Sequence, residues 1–224
     1  AISSLEFKPE LHQTCRIGKP AGLKARNLLL VGAGRKMKFD PSKFRELSGT
    51  VVRNAKSCAS NNIALCCRGV SSTGLAARLA ADGALYASFE LDLYKTCDNE
   101  SKNVEKLQLL FDRNATRGEV EEGIRRGIIT GDATNYARTL SNEPSNILTP
   151  TQFAERAVTM GEKAGLAVQI LEREDLEKLG MNALLAVSRG SEEPPKLIVL
   201  RIKGQEKRRM RSPLCALVGK GVTF

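Results

Sequence analysis

The sequence contains no tryptophan, and aromatic residues make up only 4% of its 224 residues. It therefore offers few of the aromatic side chains on which single-stranded nucleic acids stack their bases. It contains one histidine, His12, and none of its six cysteines forms a Cys-x-x-Cys pair. These two absences argue against a zinc site built from cysteine and histidine, so any metal must use other ligands.

Long apolar runs are missing as well. The apolar runs, such as Leu28–Val31, have only the length of a strand, whereas a membrane-spanning helix needs about 20 apolar residues. The first nine residues show neither the basic nor the apolar region of a signal peptide. We therefore expect no membrane association and a cytoplasmic protein. Because the chain begins at Ala1, an organellar location with a removed leader peptide stays an alternative.

The cysteines show no spacing typical of a disulfide or metal framework. We predict that all six are reduced thiols in a reducing compartment; they are Cys15, Cys58, Cys66, Cys67, Cys97 and Cys215.

The formal net charge is +10, which leaves nucleic acid open as a partner. The basic residues are nevertheless scattered, apart from one cluster at Lys203–Arg211. This cluster lies between two strand-like runs and contains Gly204, which favours a solvated hairpin-type loop over a phosphate-binding patch.

Strand and helix patterns alternate through the first half of the chain, which predicts an α/β domain over residues 1–115 with a mainly parallel sheet covered on both faces. Asp40 is the predicted N-cap of the first helix, with Pro41 in its first turn. The predicted strands are Asn27–Val31, Ile63–Cys67 and Leu107–Phe111, and the predicted helices are Pro41–Ala55 and Thr73–Phe89.

A long helix follows and is predicted over Thr116–Leu140, making residues 116–141 a linker between two domains. Apolar residues spaced by multiples of four form one row, interrupted only at Asp132: Val120, Ile124, Ile128, Tyr136 and Leu140. Beside them lies a second four-spaced row, Gly123, Gly127 and Gly131. Each glycine costs roughly 1 kcal/mol in a helix interior, so the row indicates either close packing against another backbone or chance placement.

Residues 142–224 begin a second α/β domain, whose sheet has barely started when the sequence ends. Thr149 is predicted as N-cap of a helix, with Pro150 at its first position and Gln152 completing a capping box. That helix ends at Gly165. Beyond it we predict strand Ala167–Leu171, helix Arg173–Leu179, and strand-like runs at Ala183–Val187, Leu197–Ile202 and Leu214–Gly219. A sheet this incomplete indicates a fragment of a longer protein.

Two glycine-containing segments match known nucleotide-binding motifs only in part. Gly32-Ala33-Gly34 follows a strand like a dinucleotide fingerprint, but Met37 stands at the third glycine position, which favours a tight turn. Gly219-Lys220 is not a P-loop, because Leu214 and Gly221 stand where glycine and Ser/Thr are required.

The segment Val218-Gly219-Lys220-Gly221-Val222-Thr223-Phe224 instead resembles the metal-site signature of the leucyl aminopeptidase (cytosol aminopeptidase) family. That signature normally continues with an aspartate and a glycine pair. Three further stretches agree in order and spacing: ARTLSNEPSNILTP, LEKLGMNALLAVSRGSEEPPKLIVL and, more loosely, RNLLLVGAGRK.

The resemblance implies an N-terminal macro-like α/β domain, a linker helix and the start of a second, catalytic α/β domain. It implies a metal-dependent hydrolase that releases N-terminal amino acids, leucine among them, from peptide substrates, and that assembles as a homo-hexamer. Two divalent ions, zinc or manganese with magnesium as a further option, would serve as cofactors. Lys220 matches the lysine metal ligand of the family.

The family's carboxylate ligands, second active-site lysine and arginine fall beyond Phe224, so the resemblance places no catalytic residue within these 224 residues. The family's opening strands before Phe7 also lack a counterpart. We therefore expect this chain alone to be inactive. Alternative functions are a non-catalytic assembly or scaffold role, and DNA binding, which some bacterial members of the family combine with peptidase activity.

Overall fold

A computed structural model of the chain describes residues 7–68, 70–90, 94, 104–202 and 215–222. The chain forms two compact units, Ala1–Thr139 and Leu140–Phe224. Within the described ranges the strands are β1 (Thr14–Gly18), β2 (Asn27–Val31), β3 (Asn62–Cys66), β4 (Lys106–Leu110), β5 (Ala167–Leu171) and β6 (Leu197–Arg201). The helices are α1 (Lys43–Ser57), α2 (Thr73–Ser88), α3 (Arg117–Asn142), α4 (Pro150–Ala164), α5 (Arg173–Lys178) and α6 (Asn182–Ser188). This alternation confirms the predicted α/β class.

In the first unit the strands pair differently from the mainly parallel sheet that the alternation predicted for residues 1–115. Only β3 and β4 are parallel among the described strands, with α2 in the crossover between them. The pairs β1–β2 and β5–β6 are antiparallel. The prediction overlooked β1, which eight residues connect to β2 in a hairpin closed by the Lys19 N–H and the Arg26 carbonyl, 2.8 Å apart. So short a connection can join only antiparallel neighbours.

The helices of the first unit pack through small residues. Ala77 and Ala80 of α2 are fully buried, and α1 buries Ser48 and Val52. The Ser48 hydroxyl donates to the Ala80 carbonyl at 2.7 Å, which satisfies its polar atom inside the helix pair.

The glycine row of α3 lies against α2, as one of the two interpretations predicted. All three glycines are buried. Side chains at these positions would collide with α2: a built Cβ would lie 2.2 Å from the Gly74 oxygen at position 123, 2.3 Å from the Arg78 oxygen at position 127, and 2.8 Å from Leu85 Cδ1 at position 131. Close backbone packing therefore explains the row.

The four-spaced apolar residues of α3 do not share its buried face. Ile128 is 43% exposed and Tyr136 is 40% exposed. A step of four residues advances about 40° beyond a full helical turn. Over the five steps from Val120 to Leu140 the row therefore drifts halfway around the helix and leaves the face that packs on α2.

The predicted start of the first helix is wrong. The first helix begins at Lys43 after Ser42, not after Asp40. Asp40 Oδ1 accepts a hydrogen bond from the Ser42 N–H at 2.7 Å, so the carboxylate stabilises the turn before the helix. Hydrogen bonds from the Ser42 side chain and backbone lower the pKa of Asp40.

The run Ala183–Val187, predicted as strand-like, belongs to helix α6. Short apolar runs of this kind suit either a buried strand or a buried helix, and its alanine and leucine residues favour the helix. The run Leu197–Ile202 does form β6. Of the predicted strand Leu214–Gly219, Leu214 lies outside the described residues, and residues 215–219 form no strand.

Candidate metal-binding segment

Lys220 lies in residues 215–222, which follow an irregular path without helix or strand. Its side chain is exposed, and the preceding Leu217 and Val218 are 97% and 95% exposed. Val222 is only 37% exposed. The segment therefore comes closer to the rest of the second unit just after Lys220.

That approach is made to Phe153 on α4. A Cβ atom built at Gly221 would lie 3.4 Å from Phe153 Cε1 and 3.9 Å from Cδ1. A Cβ atom at position 221 would therefore be in ordinary van der Waals contact with the aromatic ring.

The start of α4 positions Phe153 and follows the predicted cap. Thr149 Oγ1 accepts a hydrogen bond from the Gln152 N–H at 3.3 Å, and the Phe153 N–H donates to the Thr149 carbonyl at 2.9 Å. Pro150 occupies the first helical turn, and Gly165 ends the helix in the left-handed conformation with φ +67°. The predicted helix is confirmed from its cap to its final glycine.

Glu143 and Arg156 form an ion pair that the sequence analysis missed. They lie thirteen residues apart, and the Glu143 side chain is only 6% exposed. Glu143 Oε1 accepts from the Arg156 guanidinium, whereas Oε2 is buried and has no hydrogen-bond partner among the described residues. Glu143 belongs to the stretch ARTLSNEPSNILTP, so this stretch contributes a buried contact as well as the start of α4.

Two further features that the sequence singled out, His12 and the turn at Gly32, belong to the first unit. His12 lies in the first unit, where its Nδ1 is 3.1 Å from Thr50 Oγ1 and its Nε2 is 3.0 Å from Glu46 Oε2. Gly32 donates its N–H to the Gln13 carbonyl at 2.7 Å and accepts from the His12 N–H at 3.0 Å. These backbone groups of Gly32 bind the chain's own residues. The segment Gly32-Ala33-Gly34 is therefore better interpreted as a tight turn than as a dinucleotide-binding site.

The cysteines of the described ranges are free thiols, as predicted: Cys15, Cys58, Cys66, Cys67 and Cys215. Cys97 lies outside those ranges, and so do residues 203–211 of the basic cluster.

The donor groups of the described residues do not by themselves fit a two-metal site. Over those residues no group of three histidine, cysteine, aspartate or glutamate side chains is placed to hold an ion. Lys220 supplies one amine nitrogen, whereas a closed site for one divalent ion needs about four donors. The residues that the structure describes can therefore form at most part of such a site.

None of the helices in the described ranges is both long enough and apolar enough to cross a membrane.

Comparisons with known proteins identify the chain's relatives. Residues 1–98 match the family model "Cytosol aminopeptidase family, N-terminal domain", and residues 135–224 match "Cytosol aminopeptidase family, catalytic domain". A probable cytosol aminopeptidase of Alkaliphilus oremlandii is 37% identical over the whole chain, which corresponds to 45% of that relative. One of Solibacter usitatus is 42% identical over 91% of the chain and 41% of the relative. The chain thus spans less than half the length of these relatives.

Solved structures of known proteins also superpose on this chain. A mutant of tomato leucine aminopeptidase superposes with a TM-score of 0.75 at 28% identity, covering 86% of this chain and 38% of that one. The bottromycin maturation enzyme BotP in complex with Mn superposes with a TM-score of 0.73 at 27% identity, covering 87% of this chain and 40% of BotP. The two family models together take in most of the sequence, and the chain belongs to the cytosol aminopeptidase family.

Proposed function

We propose that this chain is the N-terminal domain, linker helix and start of the catalytic domain of a metal-dependent leucyl aminopeptidase. The complete protein would release N-terminal amino acids from peptides in the cytoplasm, as a homo-hexamer with two divalent ions, zinc, manganese or magnesium. Residues 1–115, 116–141 and 142–224 would be its three parts. The proposal rests on one observation: the catalytic-domain match extends through residue 224 and so includes Lys220 and its glycine neighbours.

In this proposal Lys220 donates one ligand to a site whose carboxylates come from other parts of the complete enzyme. An amine coordinates a metal only when it is deprotonated, so binding of the metal would release a proton from this side chain. The described residues support the placement in one respect. The Lys220 side chain is exposed, which leaves its amine accessible to a metal ion.

A chimaera tests the proposal directly. In it, the chain replaces the segment that it matches in the Alkaliphilus oremlandii relative. We expect this chimaera to hydrolyse leucyl-p-nitroanilide with Mn²⁺, and the isolated chain to be inactive. Lys220→Met should abolish hydrolysis and weaken Mn²⁺ binding measured by calorimetry.

Lys178→Met is the matched control, because Lys178 is an exposed lysine at the end of α5 in the same unit. Hydrolysis and Mn²⁺ affinity that survive Lys220→Met unchanged would show that Lys220 is no ligand. A chimaera that folds but lacks activity would contradict the aminopeptidase proposal.

A further inference from the structure

Helix α2 lacks the usual features that close a helix at its carboxyl end. Its C-cap Phe89 has an extended backbone (φ −63°, ψ 125°) and not the left-handed conformation that commonly ends a helix, and the last turn contains no basic residue. The last four carbonyls of any helix lack partners within it, and in α2 these belong to residues 85–88. Donors for them must therefore come from water or from other parts of the molecule.

Two side chains of α3 supply such donors. Asn135 Nδ2 donates to the Leu85 carbonyl at 2.8 Å, and Arg138 Nη1 donates to the Tyr86 carbonyl at 2.9 Å. Arg138 Nη1 also donates to Asn135 Oδ1 at 3.0 Å, so the two side chains hold each other. The Arg138 guanidinium lies over the rings of Tyr86 and Phe89, 4.2 and 4.0 Å from their centroids. The end of α2 is thus capped by another helix.

Helix α1 contributes a third donor. Lys56 Nζ donates to the Ser88 carbonyl at 3.0 Å and to Glu90 Oε1 at 2.7 Å. Its positive charge, like that of Arg138, suits the negative end of the α2 dipole. This contact does not involve α3, so only the Leu85 and Tyr86 carbonyls depend on that helix.

The stretch of α3 that carries Asn135 and Arg138 has little helix preference of its own. Residues 132–139 follow Gly131, and five of these eight residues are aspartate, asparagine, threonine or tyrosine, which form helices less readily than alanine. The start of α3 differs, because ion pairs one turn apart support it. These pairs are Arg117–Glu121 and Arg126–Glu122.

We propose that residues 132–139 form a docking-dependent segment, which stays helical only while Asn135 and Arg138 cap α2. Release of these two side chains removes the donors from two α2 carbonyls, so the last turn of α2 opens together with the segment. The segment ends at Thr139, the last residue of the first unit. The linker helix therefore has a site of local opening at the end of that unit. The contacts lie within the unit, so the device does not depend on the proposed aminopeptidase activity.

Hydrogen exchange of the 224-residue chain, followed by mass spectrometry, tests this coupling. Asn135→Ala is the decisive variant, because alanine has a higher helix propensity than asparagine. If local propensity held the segment, exchange would slow there. We expect the opposite: exchange should rise by about fivefold or more in residues 84–89 and 132–139, the change that the loss of one typical hydrogen bond gives.

Arg138→Met should accelerate exchange in the same two stretches, since methionine keeps the helix propensity but donates no hydrogen bond. Arg126→Met is its matched control, because Arg126 is an exposed arginine of α3 that pairs with Glu122 of the same helix. Asp132→Ala is the control for Asn135→Ala, because Asp132 is an exposed residue of the same segment. Both controls should leave exchange in residues 84–89 at the wild-type rate.

The coupling is overturned if exchange in residues 84–89 stays at or below the wild-type rate in Asn135→Ala or in Arg138→Met. The two helix ends would then open independently. Residues 43–57 of α1 are the internal reference and should exchange as in the wild type. An equal rise in exchange across the whole chain would also overturn the proposal, because the opening must be local.

Discussion

Gly127 of α3 faces the backbone carbonyl of Arg78 on α2 so closely that a Cβ atom at position 127 would lie 2.3 Å from that oxygen. Real Cβ atoms do not approach oxygen to this distance, and a carbonyl within a helix cannot move aside without disturbing its own hydrogen bonds. The packing of α3 on α2 therefore depends on glycine at this position.

Gly127→Ala should destabilise the protein by up to about 2 kcal/mol. Overpacking a tight contact costs roughly 1–3 kcal/mol, and the better helix propensity of alanine offsets about 1 kcal/mol of this. Urea unfolding followed by circular dichroism measures the change.

Gly118→Ala is the matched control in the same helix, because nothing lies within 4 Å of a Cβ atom built there. This variant should keep or slightly raise the stability. Equal effects of the two substitutions would contradict the close packing of α3 on α2.

Local sequence signals, such as an N-cap residue or a final glycine, predicted the boundaries of those helices and strands that depend only on neighbouring residues. The helix α4 begins at the predicted cap Thr149 and ends at Gly165, and β5 covers the predicted residues Ala167–Leu171. Asp40 misled the prediction, because its side chain also suits a turn, and only the structure distinguishes a turn residue from an N-cap.

Contacts between distant positions could not be predicted in this way. Nothing in the local pattern indicates that Phe153 lies near Gly221, or that Glu143 pairs with Arg156. The surroundings of Lys220 depend on such contacts. The sequence thus identified the candidate ligand by its resemblance to a family, while its placement required the fold.

Thr149→Ala should destabilise the second unit by about 1 kcal/mol, the usual effect of losing an N-cap hydroxyl. The Thr149 hydroxyl accepts from the Gln152 N–H, and alanine leaves that donor without its partner. Thr149→Ser should restore most of the stability, since serine caps at least as well. Thermal unfolding of the three proteins gives the comparison.

Ser72→Ala offers a further control, because Ser72 is the N-cap of α2 but its side chain makes no cap hydrogen bond. A loss in Ser72→Ala as large as that in Thr149→Ala would mean that the cap bond is not the cause.

Neighbouring Cys66 and Cys67 should differ sharply in reactivity. Cys66 is exposed, whereas Cys67 is 1% exposed and burial raises the pKa of its thiol to about 12. Since only the thiolate reacts, iodoacetamide at about pH 8 should alkylate Cys66 in the folded protein and leave Cys67 intact. Peptide mass spectrometry locates the label. In denaturant both should react, and labelling of Cys67 in the folded protein would contradict its burial.

Glu122 should make the stability of α3 depend on pH in the acidic range. Hydrogen bonds from Arg125, at 2.7 Å, and from Arg126, at 2.6 Å, hold the pKa of Glu122 at about 2, below its ordinary value of 4.5. Because the folded-state pKa is lowered, the stabilisation is present above about pH 4.5 and is lost as the pH falls towards about 2. The Glu122 side chain is 42% exposed, so solvent screens its ion pairs, and the effect should be small and should weaken with added salt.

Glu122→Gln removes the titrating group while leaving a polar side chain of the same size. Its thermal unfolding midpoint should therefore fall less than that of the wild type between about pH 5 and about pH 2.5, because one proton-linked contribution has gone. Circular dichroism at low salt measures both midpoints, and a repeat at about 1 M salt should narrow the difference between the two proteins. Parallel pH profiles at low salt would mean that the contacts with Arg125 and Arg126 contribute nothing to folding.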